Sequence, residues 1–207
     1  MAERKPAPLI LLISAPSGAG KTTLCDGLLA ACPDLVRAVT CTTRAPRPGE
    51  LQGRDYYFLT KEDFKQRVTA GEFLEHASVY DNHYGLLKGE LLAKLHAGKD
   101  VLLNVDVQGA ASIRMAAALE PELKAALVTL FLTTESLELL AHRLNKRNAD
   151  DPAVIAKRLA AAKQENAHWR HYDYLVFSTT KEADLQQART IIAAEKMRST
   201  RAVPPVF

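Results

Sequence analysis

Short apolar runs alternate with segments of helical periodicity along most of the chain. Strands are predicted at 9–14, 73–80, 100–105, 127–132 and 174–177. Helices are predicted at 21–32, 62–71, 87–98, 108–119, 135–146, 151–170 and 181–198. Buried strands that alternate with helices are typical of an α/β fold with a mainly parallel sheet. The terminal segments 1–8 and 199–207 carry proline and charge, and we expect both to be frayed.

One segment, 36–95, interrupts this alternation. Its first part, 36–60, is rich in Thr, Arg, Pro, Gly and Tyr, a composition that favours short strands and turns. The remainder contains a short helix and a strand before the regular alternation resumes near residue 96. We therefore expect 36–95 to form an insert in the α/β core.

The composition limits the class of protein. Of the 207 residues, 47% are hydrophobic and 25% are charged, which is typical of one soluble globular domain. The net charge of +3 is too small to indicate nucleic-acid binding, and the longest strongly apolar run, 9–13, is far short of the about 20 residues that span a bilayer. Cys25, Cys32 and Cys41 form no CxxC pair, which argues against a disulfide framework and favours a cytoplasmic protein.

A phosphate-binding motif joins the first predicted strand to the first predicted helix. Gly20-Lys21-Thr22 matches the end of G-x-x-x-x-G-K-[ST], with Ala15 at the first glycine position. Lys21 would reach the β- and γ-phosphates of a nucleoside triphosphate, and the Thr22 hydroxyl would face Mg²⁺. The residues expected to surround the phosphates are Ala15, Pro16, Ser17, Gly18, Ala19, Gly20, Lys21, Thr22 and Thr23. The alternative is a strand–turn–helix connection with a solvated lysine.

Basic and aromatic side chains are concentrated in the insert. Arg44 and Arg47 lie three residues apart in a turn-rich stretch, and guanidinium groups bind phosphate oxygens in a bidentate manner. The tyrosines that follow are Tyr56, Tyr57, Tyr80 and Tyr84. Glu75 offers two acceptor oxygens, which suit the N1–H and N2–H₂ donors of guanine. The pattern indicates a small phosphate-bearing ligand, and the alternative is a solvated basic loop with tyrosines packed at its base.

Taken in order, these motifs resemble those of the guanylate kinase family. The resemblance runs in register from about residue 9 to 198. It is carried by 14–23, Thr42-Thr43-Arg44-x-Pro46-Arg47-x-Gly49-Glu50, Asp55-Tyr56-x-Phe58, Glu72-Phe73-Leu74-Glu75, Tyr84-Gly85, Asp106-x-Gln108-Gly109 and Lys157-Arg158-Leu159. The run that begins at Thr42 is the most specific to the family.

The resemblance implies a single domain, 1–207, with three parts. A P-loop NTPase-type core would comprise 9–35, 96–136 and 161–200, the segment 36–95 would bind GMP, and 137–160 would form a helical lid. The activity implied is transfer of the γ-phosphoryl group of ATP to GMP or dGMP, with Mg²⁺, in purine nucleotide metabolism. The implied partners are these small substrates, with no nucleic acid and no membrane, and the oligomeric state stays open between monomer and homodimer.

The resemblance also assigns expected roles to individual residues. Those implied to bind GMP are Thr40, Arg44, Arg47, Tyr56, Glu75, Tyr84 and Asp106. Glu75 and Asp106 would contact guanine, and Thr40 would lie near it. Those implied to act in catalysis are Lys21, Arg44, Arg143, Arg147 and Arg158, the last three as lid arginines over the ATP phosphates. The alternative for the lid arginines is a solvated helix face.

The sequence departs from the family pattern in four motifs. Leu86 and Leu87 stand where the family usually has two hydroxyl residues, and Asn104 stands for the first Asp of Asp-x-Asp. Lys146-Arg147-Asn148 replaces Gly-Arg-Gly in the lid, and Ser178 replaces an Asn near adenine. The first two changes resemble ribose 1,5-bisphosphate phosphokinase, a relative of the same fold, which leaves that acceptor as an alternative. A catalytically weak binding module that uses the same fold is the other.

Overall fold

The computed structural model of the chain describes residues 5–147 and 152–204, with side chains described at 5–143 and 158–204. The strands of this part are β1 Ile10–Ser14, β2 Leu35–Arg37, β3 Cys41–Thr42, β4 Tyr57–Phe58, β5 Phe73–Val79, β6 Asn82–Leu87, β7 Asp100–Asn104, β8 Leu127–Thr133 and β9 Tyr174–Phe177. The α-helices are α1 Lys21–Ala31, α2 Lys61–Thr69, α3 Lys88–His96, α4 Val107–Ala118, α5 Pro121–Ala126, α6 Leu137–Arg147, α7 Pro152–Asn166 and α8 Lys181–Met197. Among these helices none is long and apolar enough to cross a membrane.

Five parallel strands form the central sheet, in the order β2-β7-β1-β8-β9. The middle strand β1 is buried over its whole length, and its side chains alternate between two hydrophobic clusters. Leu11 and Ile13 pack on the α1 and α8 side, whereas Ile10 and Leu12 pack on the α3, α4 and α5 side. A strand that is covered on both faces appears in the sequence as a continuous apolar run, and such a run predicted a strand at 9–14. The predicted α/β fold with a mainly parallel sheet is confirmed.

A second, smaller sheet has the order β4-β3-β6-β5 and mixed pairing. Its strands lie between residues 41 and 87, while β2 at the start of the expected insert belongs to the central sheet. Strand β6 was missed by the sequence analysis. It follows β5 through a two-residue turn at Tyr80-Asp81, which has neither Asn nor Gly, so the sequence carried no hairpin signal. Tyr80 adopts a φ of 53° there and is 97% exposed.

Three other differences from the predicted elements have local causes. Helix α5 was not predicted, because its six residues are too few to show periodicity. The helix predicted at 151–170 ends at Asn166 and continues as a 3₁₀ helix, Ala167–His171. The expected fraying of 199–207 is wrong for its first part, because Arg201 is buried and its carbonyl accepts a hydrogen bond from the Ala7 N–H at 2.8 Å.

Candidate active site

The connection between β1 and α1 is shaped by two glycines in the left-handed region. Gly18 has a φ of 91° and Gly20 a φ of 106°, values that a side chain would strain. The Ala19 N–H donates to the Pro16 carbonyl at 3.2 Å and closes the turn. Gly20 also caps α1 without a side-chain hydrogen bond, so no side chain covers the backbone N–H groups at the start of the helix. A helix start of this kind can bind an anion.

Lys21 is held between this loop and the end of β7. Its Nζ donates to the carbonyl of Val105 at 2.7 Å, and the Ser14 hydroxyl donates to the same oxygen at 3.1 Å. Burial lowers the pKa of Lys21, while the carboxylates of Asp106 and Glu165 act in the opposite direction. Thr22, the next residue, is exposed. The predicted phosphate-binding residues therefore lie at the carboxyl ends of β1 and β7, where ligands bind in sheets of this type.

A cavity of about 240 Å³ adjoins the loop. It is lined by Gly18, Gly20, Thr23, Leu24, Arg143, Ser178, Thr179, Thr180, Lys181 and Asp184. Arg143 Nη1 donates to Ala19 O at 3.3 Å and Ser178 Oγ at 2.7 Å, and Nη2 donates to the carbonyls of Ser178 and Thr179, both at 3.1 Å. The Ser178 hydroxyl donates in turn to the buried Asp184 carboxylate at 2.6 Å. Arg143 thus joins the phosphate loop to the segment after β9.

Arg44 has a fixed orientation next to two tyrosines. Its Nη2 donates to both carboxylate oxygens of Glu50, at 2.8 and 2.9 Å, and the Arg47 N–H donates to Glu50 Oε2 at 2.7 Å. The hydrogen bond to Glu50 raises the pKa of Arg44, and contact with Tyr84 adds to it. The guanidinium carbon lies 5.5 Å from the centroid of the Tyr56 ring, which is 6.2 Å from the Tyr84 ring. The structure therefore brings Arg44, Tyr56 and Tyr84 together.

The Arg47 side chain is exposed, and Thr40 lies next to β4, where its carbonyl accepts from the Tyr57 N–H at 2.9 Å. Tyr57 itself points elsewhere, because its hydroxyl donates to Glu90 Oε2 at 3.0 Å. Arg47 is therefore connected to Glu50 through its backbone, and its guanidinium lies at the surface.

Two carboxylates approach each other at the start of α4. Asp106 caps this helix by accepting a hydrogen bond from the Gly109 N–H at 2.8 Å. A Cβ built on Gly109 would lie 3.5 Å from Asp106 Oδ1 and 4.0 Å from Glu75 Oε2, so Glu75 on β5 reaches the same point. Burial raises the pKa of Glu75, and the negative charge of Asp106 adds to the rise. Together the carboxylates offer acceptor oxygens at the boundary between the two sheets.

Two of the family departures have clear surroundings. Leu86 is 1% exposed and belongs to the hydrophobic cluster on the α3 and α4 side of the central sheet. Leu87 packs against the small cluster of the second sheet. Neither side chain can donate a hydrogen bond to a ligand. Asn104 is half-buried at the end of β7.

The three lid arginines differ in what the structure describes of them. Arg143 lines the cavity beside the phosphate loop, and Arg158 is half-buried on α7. The side chain of Arg147 and the residues that follow it up to 151 lie outside the described part. Both terminal nitrogens of Arg143 donate hydrogen bonds to backbone carbonyls or to the Ser178 hydroxyl. Within the described residues its side chain is therefore held in place and is not a solvated arginine on a helix surface.

Three residues with contacts in these sites were not singled out by the sequence analysis. Glu50 accepts hydrogen bonds from Arg44 and from the Arg47 N–H, and its position in the family motif could have indicated that it has a function. Asp184 holds Ser178, and Glu165 accepts from the backbone N–H of Ser17 at 3.2 Å. Both occur in regular helices, where periodicity alone gives no indication of the polar contacts of a side chain.

Known proteins of one family match this chain along nearly its whole length. The family model described as guanylate kinase matches residues 6–195. The guanylate kinase of Paramagnetospirillum magneticum is 42% identical over 195 residues, 94% of this chain and 88% of that protein. That of Coxiella burnetii is 42% identical over 189 residues, 91% of this chain and 88% of that protein. The crystal structure of guanylate kinase from Anaplasma phagocytophilum has a TM-score of 0.66 and 31% identity, with 95% of this chain and 90% of that chain covered. The chain therefore belongs to the guanylate kinase family and is a nucleoside monophosphate kinase, a phosphotransferase.

Proposed function

We propose that this chain transfers the γ-phosphoryl group of ATP to GMP, and also to dGMP, to give ADP and GDP or dGDP. The observation that carries the proposal is the presence of two separate anion-binding groups around one pair of carboxylates. The phosphate loop with Lys21 supplies the first group, and Arg44 with Tyr56 and Tyr84 supplies the second. A kinase that acts on a nucleotide acceptor needs both, because each substrate brings its own phosphate.

The donor would lie along the phosphate loop, with its base in the adjoining cavity. Backbone N–H groups of 15–23, where Pro16 has none and Ser17 donates to Glu165, would surround the phosphates. Lys21 would exchange the Val105 carbonyl for the β- and γ-phosphate oxygens. Arg143 already uses both terminal nitrogens on protein oxygens, so its planar face is what remains for the donor base. We therefore assign Arg143 to binding the donor base, and Arg147 and Arg158 to the phosphates.

The acceptor would bind between the second sheet and the start of α4. Arg44, Arg47, Tyr56 and Tyr84 would hold its phosphate, with Glu50 keeping Arg44 oriented before the ligand arrives. Glu75 and Asp106 would accept hydrogen bonds from the base, with Thr40 beside them. Guanine presents adjacent N1–H and N2–H₂ donors, whereas adenine presents an acceptor at N1, so paired carboxylates favour guanine.

The residues at the loop fit Mg²⁺. This ion prefers oxygen ligands, takes few from the protein and keeps several waters together with substrate phosphates. The exposed Thr22 hydroxyl and the Asn104 amide oxygen at the end of β7 are ligands of this type. When bound with ATP, Mg²⁺ supplies positive charge that offsets the charge on the phosphates during transfer.

The reaction requires no general base from the protein. The attacking phosphate oxygen of GMP is already ionised, so catalysis reduces to alignment of the two phosphates and stabilisation of charge in the transition state. Lys21, Arg44, Arg147 and Arg158 would supply that charge. Closure of a lid would also exclude water from the γ-phosphoryl group and so suppress hydrolysis of ATP.

One observation favours a second candidate. Leu86 stands where the family usually has a residue with a hydroxyl group, and its apolar side chain is buried in the core. An acceptor without a base to recognise, such as ribose 1,5-bisphosphate, would tolerate this change.

A coupled assay of ADP release with Mg·ATP distinguishes the candidates. The acceptors would be GMP, dGMP, AMP, UMP, CMP, dTMP, IMP and ribose 1,5-bisphosphate, with Lys21→Ala as the inactive control. We expect turnover on GMP and dGMP and at least a 100-fold loss of kcat in Lys21→Ala, because the loop then lacks its charge for the transition state. Preference for ribose 1,5-bisphosphate would support the second candidate. A binding module would give no turnover, and Mg·ATP would leave its Tm unchanged.

A further inference from the structure

The carboxylate of Glu165 contacts the phosphate loop, and the function described above gives it no role. The Ser17 N–H donates to Glu165 Oε2 at 3.2 Å across 148 residues of sequence. Ser17 belongs to the loop that would surround the ATP phosphates, and Glu165 belongs to the last turn of α7, the helix that follows the expected lid loop. The contact therefore joins the donor site to the lid side of the molecule.

The end of α7 that carries Glu165 is anchored to the core. Ala162, one turn earlier, is fully buried in the hydrophobic cluster on the α1 side of the central sheet, and Leu159 packs against the same cluster. Asn166, the next residue, accepts a hydrogen bond from the Thr133 hydroxyl at the end of β8 at 2.6 Å. Glu165 is thus held at a fixed place beside the loop.

Arg158 lies seven residues before Glu165 on the same helix. Seven residues are nearly two turns, so the two side chains share a face of α7 and are separated by about 10 Å along the axis. The Glu165 contact therefore adds a direct connection between the phosphate loop and the face of α7 that carries Arg158.

We propose that Glu165 is a positioning residue for phosphoryl transfer, which fixes α7 to the phosphate loop so that Arg158 meets the ATP phosphates. The inference rests on the proposed roles of the loop and of Arg158. The group that acts is the acceptor oxygen of Glu165 on the Ser17 N–H, and the proposal requires this contact to remain when ATP binds. The proposed effect on the reaction passes through Arg158, and Glu165→Gln controls for the charge that Glu165 places near Lys21.

The test is a double-mutant cycle on kcat with Mg·ATP and GMP. Glu165→Ala should lower kcat about tenfold, because a displacement of about 1 Å in a charged group is costly in phosphoryl transfer. Glu165→Gln keeps an acceptor oxygen and should retain kcat within about threefold. In an Arg158→Ala background, Glu165→Ala should cause no further loss beyond about twofold, because residues that act as a unit are not additive.

Lys163→Ala is the matched control, since Lys163 is an exposed residue of the same helix. It should leave kcat and Tm unchanged, and the KM for GMP should stay within about twofold in every variant. Should Glu165→Ala not fold, Glu165→Asp replaces it, because the shorter side chain cannot reach Ser17.

The outcomes separate this inference from the proposed function. A wild-type chain without transfer to GMP, or an Arg158→Ala variant with full kcat, removes the basis of the proposed function and of this inference together. If Arg158→Ala lowers kcat and the double variant lowers it by the product of the two single losses, this inference alone is overturned. Tighter Mg·ATP binding by both Glu165→Ala and Glu165→Gln would also overturn it, because Glu165 would then compete with the phosphates.

Discussion

Glu75 is placed where recognition and stability have opposite requirements. Burial and the charge of Asp106 raise its pKa, so the folded protein disfavours the ionised carboxylate. The proposed acceptor site needs that ionised form, since a protonated carboxyl loses acceptor capacity toward the donors of guanine. At neutral pH, therefore, the side chain that would select the base also reduces the free energy of unfolding.

Replacement by glutamine should separate the two effects. Because the folded pKa of Glu75 lies above its unfolded value, protonation of this carboxyl favours the folded state. Below the unfolded pKa its titration does not reduce the free energy of unfolding, whereas above the folded pKa the ionised carboxylate does reduce it. Glu75→Gln removes that charge, so at pH 7 we expect a higher Tm together with a KM for GMP that rises at least tenfold and a KM for ATP that stays within twofold.

Acidification provides the matching test. The wild-type KM for GMP should rise as the pH falls through the raised pKa of Glu75, and this dependence should disappear in Glu75→Gln. Glu135→Gln, an exposed glutamate on the lid side, is the control for loss of one negative charge. Equal effects of Glu75→Gln on GMP and ATP would mean that Glu75 does not contact the base.

At the scale of elements, strands β5 and β6 form the hairpin that carries Glu75 and Tyr84 to the acceptor site. Their pairing contains an irregularity between Phe73 and Glu75, which brings the Phe73 ring over Gly85. A Cβ at Gly85 would lie 2.7 Å from Phe73 Cδ1 and 3.1 Å from the Glu75 carbonyl oxygen. The glycine of the Tyr84-Gly85 motif is therefore required by close packing within the hairpin.

Gly85→Ala should disturb both the fold and the acceptor site. Overpacking of this kind costs about 1–3 kcal/mol, and here part of the clash is with backbone that cannot rotate away. We expect urea unfolding to show that loss and the KM for GMP to rise more than the KM for ATP. Gly89→Ala is the matched control, because a Cβ there meets nothing within 4 Å, and it should be neutral or slightly stabilising. A GMP-specific defect without loss of stability would contradict the packing explanation.

For the molecule as a whole, the sequence predicted what periodicity and motif carry, and missed what depends on distant contacts. The run at 9–14 was recognisable because β1 is buried on both faces, and Gly20-Lys21-Thr22 because its chemistry is local. The pairing of Arg44 with Glu50 was not predicted, although it could have been found, since only six residues separate the two within one motif. The contact of Glu165 with Ser17 could not be, because it crosses 148 residues and depends on how α7 meets the loop.

The C-terminal segment shows the same limit, since charge and proline suggested a frayed end. Instead Arg201 pairs with Glu195 of α8 and donates to the Ala125 carbonyl at 2.7 Å. Glu195 is only 3% exposed and also accepts from the Tyr174 hydroxyl at 2.7 Å. Burial alone would raise the pKa of Glu195, but the Tyr174 hydrogen bond and the charges of Arg201 and Arg198 hold it below its ordinary value.

Removal of Arg201 should therefore be costly at a point far from the active site. Arg201→Ala leaves a buried carboxylate without its main cation, which typically costs about 3–5 kcal/mol, and we expect the lower end because Tyr174 remains. Arg198→Ala removes an exposed cation from the same carboxylate and should cost less than about 1 kcal/mol, which makes it the matched control.

Because the folded pKa of Glu195 is depressed, the stability from this network is present above the unfolded pKa and is lost as the pH falls through the folded pKa. Urea unfolding from pH 7 to pH 3 measures both effects, and the acid loss should be smaller in Arg201→Ala, because the pKa of Glu195 is then less depressed. Equal stability of the two variants at pH 7 would contradict the proposed role of the buried pair of Arg201 with Glu195.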